Sequence, residues 1–322
     1  MTPTTHGIHH VTAISGDPQE TLDLYGGLLG LRLVKKTVNF DDPGTYHLYF
    51  GNDGGDPGTI MTFFPWGRRG LKGRPGSGQL TTVAFSVPAD SLGFWTDRLS
   101  AAGQSFEGPL SGMSEEVIRF RDADGIELEL VGSDSEARPG VAAPGIPAEH
   151  AIRGFFGVTL ALTRPSETAR LMTSLLGYQY LQEEENRQRL AAGDHAPGTY
   201  VDLLDAPQMA PGRMGVGAVH HVAWRISGDA EQLALRELLL QRGFSVSPVM
   251  DRNYFHSIYF REPGQVLFEV ATDPPGFTVD EAAESLGEKL QLPSWLENDR
   301  AHIEERLPVL RTPRSMLTGE GS

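Results

Sequence analysis

The sequence predicts an α+β fold of two tandem domains, each made of two βαβββ modules that form cupped mixed sheets. Three observations predict it. A short strand-like motif occurs four times, each copy leads into a helix-like stretch that ends near glycine, and each helix is followed by further strand candidates.

The four opening motifs are Gly7-Ile-His-His-Val-Thr12, Leu80-Thr-Thr-Val-Ala-Phe-Ser-Val87, Gly154-Phe-Phe-Gly-Val-Thr-Leu-Ala-Leu162 and Val219-His-His-Val-Ala-Trp-Arg225. Each alternates in polarity or is rich in β-branched residues, as a strand is. Their starts, near 7, 80, 154 and 219, are spaced by 73, 74 and 65 residues, which points to internal duplication. The helices expected next are Asp17 to Leu29, Asp90 to Ala102, Ser166 to Leu176 and Asp229 to Arg242, stopping at Gly30, Gly103, Gly177 and Gly243. A polar first residue and a terminal glycine are the usual capping asymmetry. Strands are expected at 45–50, 60–64, 117–120, 127–131, 199–203, 257–260 and 266–270. The Gly-, Pro-, Ala- and Ser-rich stretch 133–150 reads as a linker between domains at 1–132 and 151–275. A tail at 276–322 is expected to be helical over Val279–Leu290 and Trp295–Leu307, and the basic, glycine-rich segment Trp66 to Gly78 is read as a solvated loop or a pocket cover.

Composition narrows the function. The 322 residues carry a net charge of −15, which repels phosphate backbones and argues against a nucleic-acid partner. No run approaches the roughly 18 apolar residues of a membrane span. The start has neither a basic n-region nor an apolar core, so the cytoplasm is the expected location. Cysteine is absent, so any metal must be held by His, Asp or Glu.

Two of the four opening strands carry a His-His pair at the same place, His9-His10 and His220-His221. Neighbours in a regular strand face opposite ways, so one histidine of each pair is expected inside the cup. Glu269 adds a carboxylate with apolar neighbours on both sides, and such a group needs a cation or hydrogen bonds when buried. Two imidazoles and one carboxylate on one face match the facial triad of non-haem iron(II) oxygenases, which leaves positions free for substrate and dioxygen. Aligned on Val11, the position of His10 becomes Thr82 in the second module and Gly157 in the third, while Glu129 remains. One metal site per chain is therefore expected, made by modules one and four, with an empty counterpart in modules two and three. His47, His195 and His256 lack a partner pattern, although His256 is near enough in sequence to line the pocket. Thr12, two residues from His10, shares its strand face, and Tyr259 and Glu269 are expected on adjacent antiparallel strands.

These motifs resemble the vicinal oxygen chelate superfamily of paired βαβββ modules, which includes glyoxalases, bleomycin resistance proteins and extradiol dioxygenases. Within it, the chain resembles the para-hydroquinone ring-cleaving dioxygenases over nearly its whole length. The resemblance is carried by Gly7-Ile-His-His-Val-Thr12, Gly78-Gln-Leu-Thr, Asp251-Arg-Asn-Tyr-Phe-His-Ser-Ile-Tyr-Phe260, Phe268-Glu-Val-Ala-Thr-Asp-Pro-Pro-Gly-Phe277 and Leu286-Gly-Glu-Lys-Leu290. It implies an oxidoreductase of aromatic degradation or quinone detoxification, with iron(II) held by His10, His221 and Glu269. Manganese(II) or another divalent ion could take its place in a purified sample. It implies catalytic or buttressing roles for His9, Thr12, His220, Arg252 and Tyr259. It also implies a small aromatic substrate and dioxygen as partners, with homo-oligomerisation left open. Two rivals are kept: a glyoxalase-type isomerase on zinc or nickel, and a non-catalytic aromatic- or drug-binding protein of the same superfamily.

Overall fold

The computed structural model describes residues 4–67, 70–311 and 313. Module one contributes strands β1 (Ile8–Ser15), β2 (Arg32–Asn39), β3 (Asp42–Gly51) and β4 (Ile60–Pro65). Module two contributes β5 (Gln79–Pro88), β6 (Phe106–Gly112), β7 (Glu115–Arg121) and β8 (Glu127–Ser133). Module three contributes β9 (Gly154–Leu162), β10 (Tyr178–Glu184), β11 (Arg187–Ala192) and β12 (Tyr200–Asp205). Module four contributes β13 (Ala218–Ile226), β14 (Met250–Asp251), β15 (Phe255–Arg261) and β16 (Leu267–Pro275).

Two eight-stranded mixed sheets result, ordered β14-β15-β16-β13-β1-β4-β3-β2 and β10-β11-β12-β9-β5-β8-β7-β6. Each sheet draws on both halves of the chain: modules one and four build the first, modules two and three the second. Each opening strand lies in mid-sheet, parallel to the last strand of its own module and antiparallel to the opening strand of its partner. Such strands are covered on both faces, which is why β1 and β9 are buried at every residue.

The helices are α1 (Pro18–Leu22), α2 (Leu92–Ala101), α3 (Pro165–Leu175) and α4 (Asp229–Gln241). Asp17 caps α1 by accepting from the Gln19 amide at 2.8 Å. Gly30, Gly103, Gly177 and Gly243 all take a left-handed φ, between 68° and 84°, so the glycine stops act as read. The first helix continues as a π-helix over Asp23–Leu28. The buried Arg98 of α2 satisfies the carbonyls at its end, reaching Leu28 O at 2.7 Å and Gly27 O at 3.0 Å.

The tail corrects the expectation of a helix over Val279–Leu290. That stretch holds only short 3₁₀ turns, and 300–306 is the one α-helical run among the described residues after Pro275. The segment is held against β2. Gln291 N donates to Lys36 O at 2.9 Å, and the fully buried Lys35 ammonium is held by Asp280, Glu281 and the Phe277 carbonyl. Gly287, at φ 79°, interrupts any helical run. Within the loop 66–78, Arg68 and Arg69 lie outside the described residues. Bridges Lys72–Val216 and Arg74–Arg213 tie the rest to the 211–216 loop.

Asp122, in the turn between β7 and β8, links modules one and two. It accepts from the amides of Ile126 at 2.8 Å and Asp124 at 3.0 Å, and from the Tyr25 hydroxyl of module one at 3.1 Å. Burial raises its pKa to about 6. A carboxyl raised in the folded state contributes stability that is full below its unfolded pKa, near 4, and is lost as pH rises through about 6. The loss amounts to at most about 3 kcal/mol. Asp122→Asn keeps an acceptor for both amides and removes the titration. Urea unfolding at pH 4 and pH 7 should therefore show the variant gaining on the wild type as pH rises. A pH-independent difference would show that folding does not shift the Asp122 pKa.

Candidate metal centre

The site lies where β1, β13 and β16 run side by side. His10 pairs with Ala223 across β1 and β13, His221 pairs with Thr12, and Glu269 pairs with Ala223 from the other side. His10 Nε2 lies 3.3 Å from His221 Nε2 and 3.3 Å from Glu269 Oε2, and His221 Nε2 lies 2.8 Å from the same oxygen. All three residues are buried. Among the described residues, no other trio of His, Asp or Glu brings its donor atoms together in this way.

Glu269 Oε2 is buried without a hydrogen-bond partner, while Ser257 donates to Oε1. A buried carboxylate oxygen needs a cation or hydrogen bonds, and this one faces two imidazole nitrogens of the kind that bind a divalent ion. Ligand-to-metal distances near 2.1 Å put neighbouring donors about 3 Å apart, which the observed separations match. Burial pushes the Glu269 carboxyl up, but His10 and His221 outweigh it and hold the group well below the usual carboxylate range. Burial lowers His221, with Glu269 opposing part of the shift. The trio is thus biased toward an ionised carboxylate beside a neutral imidazole at His221, the forms a divalent ion requires.

A one-residue bulge precedes each histidine of the trio. The register of β1 against β13 skips at His9 on one strand and at His220 on the other. A bulge re-aims a side chain. Here it turns His9 and His220 in to meet His10 and His221, where regular strands would send them to the opposite face. His9 Nε2 faces the Thr272 carbonyl at 3.2 Å, which can only accept, so that nitrogen carries the proton. Burial, followed by the neighbouring His10, lowers His9 well below the ordinary histidine value, so it is neutral. His9 Nδ1 therefore accepts from His10 Nδ1 at 2.9 Å, which leaves the His10 Nε2 lone pair facing the site. His220 and His221 repeat the Nδ1–Nδ1 contact at 2.7 Å, and burial lowers His220 to about 3.

A cavity of about 270 Å³ opens beside the trio, with His47, Tyr49, Phe255, Arg252, Tyr259 and Trp66 among its walls. Tyr259 pairs directly with Glu269 across β15 and β16, and its oxygen accepts from Arg252 Nε at 3.1 Å. Burial, then Glu269, raises the Tyr259 phenol, so it stays protonated. Arg252 also reaches Asp41 at 3.5 Å. Thr12 is fully buried and accepts from Thr62 at 2.8 Å, beneath the pocket rather than in its wall.

His256, near enough in sequence to line the pocket, does not: it pairs with Asp229 at 2.7 Å, half exposed, because its place on β15 faces away. His47 does line it. It bonds Thr62 at 2.9 Å and the Tyr49 hydroxyl at 2.8 Å. No partner motif marks His47 or Ser257 in the sequence. The signal that finds them is register, since each lies two residues before the tyrosine that faces Thr62 or Glu269.

The second sheet is the internal control. Its cup is larger, about 400 Å³, but its buried charges answer one another. Glu129 takes two bonds from Arg119, and Asp202 takes two from Arg189. The bulges persist at Thr81 and Phe156, so they belong to the fold and not to the histidines. At Gly157, the counterpart of His221, a Cβ would lie 2.7 Å from the Tyr200 carbonyl oxygen. No histidine fits there.

The family model described as Glyoxalase/Bleomycin resistance protein/Dioxygenase superfamily matches residues 7–130 and 155–279. The chain belongs to this superfamily. It is 46% identical over 312 residues to MhqO of Bacillus subtilis, to which a ring-cleaving dioxygenase activity is provisionally assigned; the match covers 95% of this chain and 97% of MhqO. It is 34% identical over 297 residues to the chlorohydroquinone/hydroquinone 1,2-dioxygenase of Sphingobium indicum, covering 90% of this chain and 92% of that enzyme. A crystal structure of a provisionally assigned dioxygenase from Bacillus subtilis superposes with a TM-score of 0.91 at 44% identity, covering 97% of this chain and 99% of that one. Maize glyoxalase I, at 16% identity and a TM-score of 0.62 over 83% of this chain and 92% of that one, shares the fold alone. No helix among the described residues is long and apolar enough to cross a membrane.

Proposed function

We propose that the chain is an iron(II)-dependent dioxygenase that cleaves the ring of hydroquinones, with His10, His221 and Glu269 as the metal ligands. The observation that carries the reading is the unpartnered Glu269 oxygen facing two imidazoles at the floor of an aromatic-walled cavity. The hydroquinone dioxygenase among its relatives supports the substrate class. A divalent ion held there supplies positive charge that favours a phenolate and a place for dioxygen beside the ring. The remaining work falls to the chain. His9 and His220 hold the ligand imidazoles in the tautomer that presents Nε2. Phe64, Tyr49 and Phe255 wall the cavity with rings against which a flat substrate packs. Tyr259, neutral and braced by Arg252, donates a hydrogen bond to an oxygen of the substrate or of dioxygen. Dioxygen is both the oxidant and the source of the added oxygen atoms, so no external reductant is needed.

The glyoxalase-type rival lacks a ligand. In module one the position that Glu269 fills in module four is Thr62, which binds Thr12 and His47. The para assignment has its own test. Asn39, Asp41 and His47 also line the cavity, polar groups able to meet a hydroxyl remote from the trio. A buried polar group left unpaired costs about 1–3 kcal/mol, so kcat/KM should be roughly tenfold or more higher for methylhydroquinone than for catechol. Oxygen uptake after anaerobic iron(II) reconstitution measures both. Equal or better turnover of catechol would remove the para assignment, and no uptake on either diol would remove the dioxygenase reading.

A further inference from the structure

We infer that Ser257 is a positioning residue that makes Glu269 a one-oxygen ligand and so keeps a coordination position open. The inference rests on the reading of His10, His221 and Glu269 as metal ligands. Ser257 lies on β15, two residues before Tyr259, and is fully buried. Its hydroxyl donates to Glu269 Oε1. The other oxygen, Oε2, has no hydrogen-bond partner and is the one aimed at His10 Nε2 and His221 Nε2. The two oxygens of a single buried carboxylate are thus assigned different tasks by their surroundings.

Two consequences follow. The terminal torsion of a glutamate is broad and roughly two-fold, so a carboxylate without such a bond can swing and present both oxygens. The serine bond removes that freedom. With Oε1 engaged, the carboxylate meets an ion through Oε2 alone. Two imidazoles and one oxygen then leave three positions of an octahedral ion for exogenous ligands, whereas a chelating carboxylate leaves two.

The pseudo-symmetry of the first sheet supports a built arrangement. His47 stands to Tyr49 on β3 as Ser257 stands to Tyr259 on β15, and it braces Thr62 as Ser257 braces Glu269. The fold places a bracing side chain at this point in both modules. Only in module four is the braced group a carboxylate.

Cobalt(II) binding to the metal-free full chain tests this, read by dissociation constant and by the visible ligand-field spectrum, with the melting temperature of each metal-free variant as the folding control. Ser257→Ala removes the hydroxyl and one small atom of volume; Ser257→Thr keeps the hydroxyl. With its carboxylate free to chelate, the alanine variant should bind cobalt(II) with a spectrum altered in band position or intensity and a dissociation constant changed roughly 10–100-fold, and the threonine variant should recover both toward wild type. An alanine variant with wild-type affinity and spectrum would overturn the inference. So would equal losses in the alanine and threonine variants, since the hydroxyl would then not be what matters. A wild-type chain that binds no cobalt(II) would instead remove the metal reading beneath it, a different failure.

Discussion

Glu269→Gln should yield a folded chain that retains no stoichiometric divalent ion and loses oxygen uptake on hydroquinone by roughly 10³-fold or more. The wild-type carboxylate is buried and offers one oxygen with no hydrogen-bond partner toward the two facing imidazoles. An amide keeps the size and removes the charge. In the metal-free protein this relieves a buried anion, so folding should survive. In the metal-loaded protein it removes the one anionic donor of the trio, and the ion's charge is no longer balanced. His10→Ala and His221→Ala should behave alike. The readout is metal per chain after reconstitution, together with melting temperature with and without manganese(II). An ion at 100 times its dissociation constant stabilises the wild type by about 2.7 kcal/mol, and that increment should vanish in each variant. Glu129→Gln serves as the control and should leave metal content unchanged, because that carboxylate already answers Arg119. A Glu269→Gln chain that still holds one ion, or a Glu129→Gln chain that loses it, would overturn the assignment.

The parts of this site that repeat along the chain were legible in the sequence; the parts that depend on register were not. The duplicated His-His motif and the apolar-flanked Glu269 stand out because few residues satisfy both patterns. The four-module spacing placed the strands, and the glycine stops placed the helix ends. The orientation of His9 and His220 was not legible. A period-two strand sends each away from the histidine beside it, and nothing in Ile8-His-His-Val11 announces the extra residue that turns it back. Ser257 was hidden for a related reason: a serine two before Tyr259 looks like any inward strand residue until the pairing of β15 with β16 brings it onto a carboxylate. The tail was misjudged because Lys35, Asp280 and Glu281 pair across elements, and a helical period seen locally carries no information about such partners.

Tyr259→Phe and Arg252→Ala should each lower kcat/KM for hydroquinone by roughly 10²-fold while metal content stays near wild type. Neither side chain touches the convergence point of the trio. Tyr259 stands opposite Glu269 on the neighbouring strand, with its ring centroid 5.9 Å from that of His221. Its oxygen accepts from Arg252 Nε, so it has its own hydrogen to give, and burial keeps that hydrogen in place across the physiological range. The guanidinium carbon also lies 5.3 Å from the phenol ring centroid, and its fixed fork bonds the phenol through Nε while another nitrogen reaches Asp41, a geometry that a lysine ammonium does not reproduce. Arg252→Lys should therefore fail to restore activity, although it restores the charge. The pair is expected to act as a unit, so the double variant should lose little more than the worse single one. Oxygen-uptake kinetics and metal analysis on the three single variants and the Tyr259→Phe, Arg252→Ala double variant distinguish this from simple additivity. A lysine that restores full turnover would reduce Arg252 to a point charge. A phenylalanine variant with wild-type kinetics, or one that copurifies without metal, would show that Tyr259 is not the donor the pocket presents to its substrate.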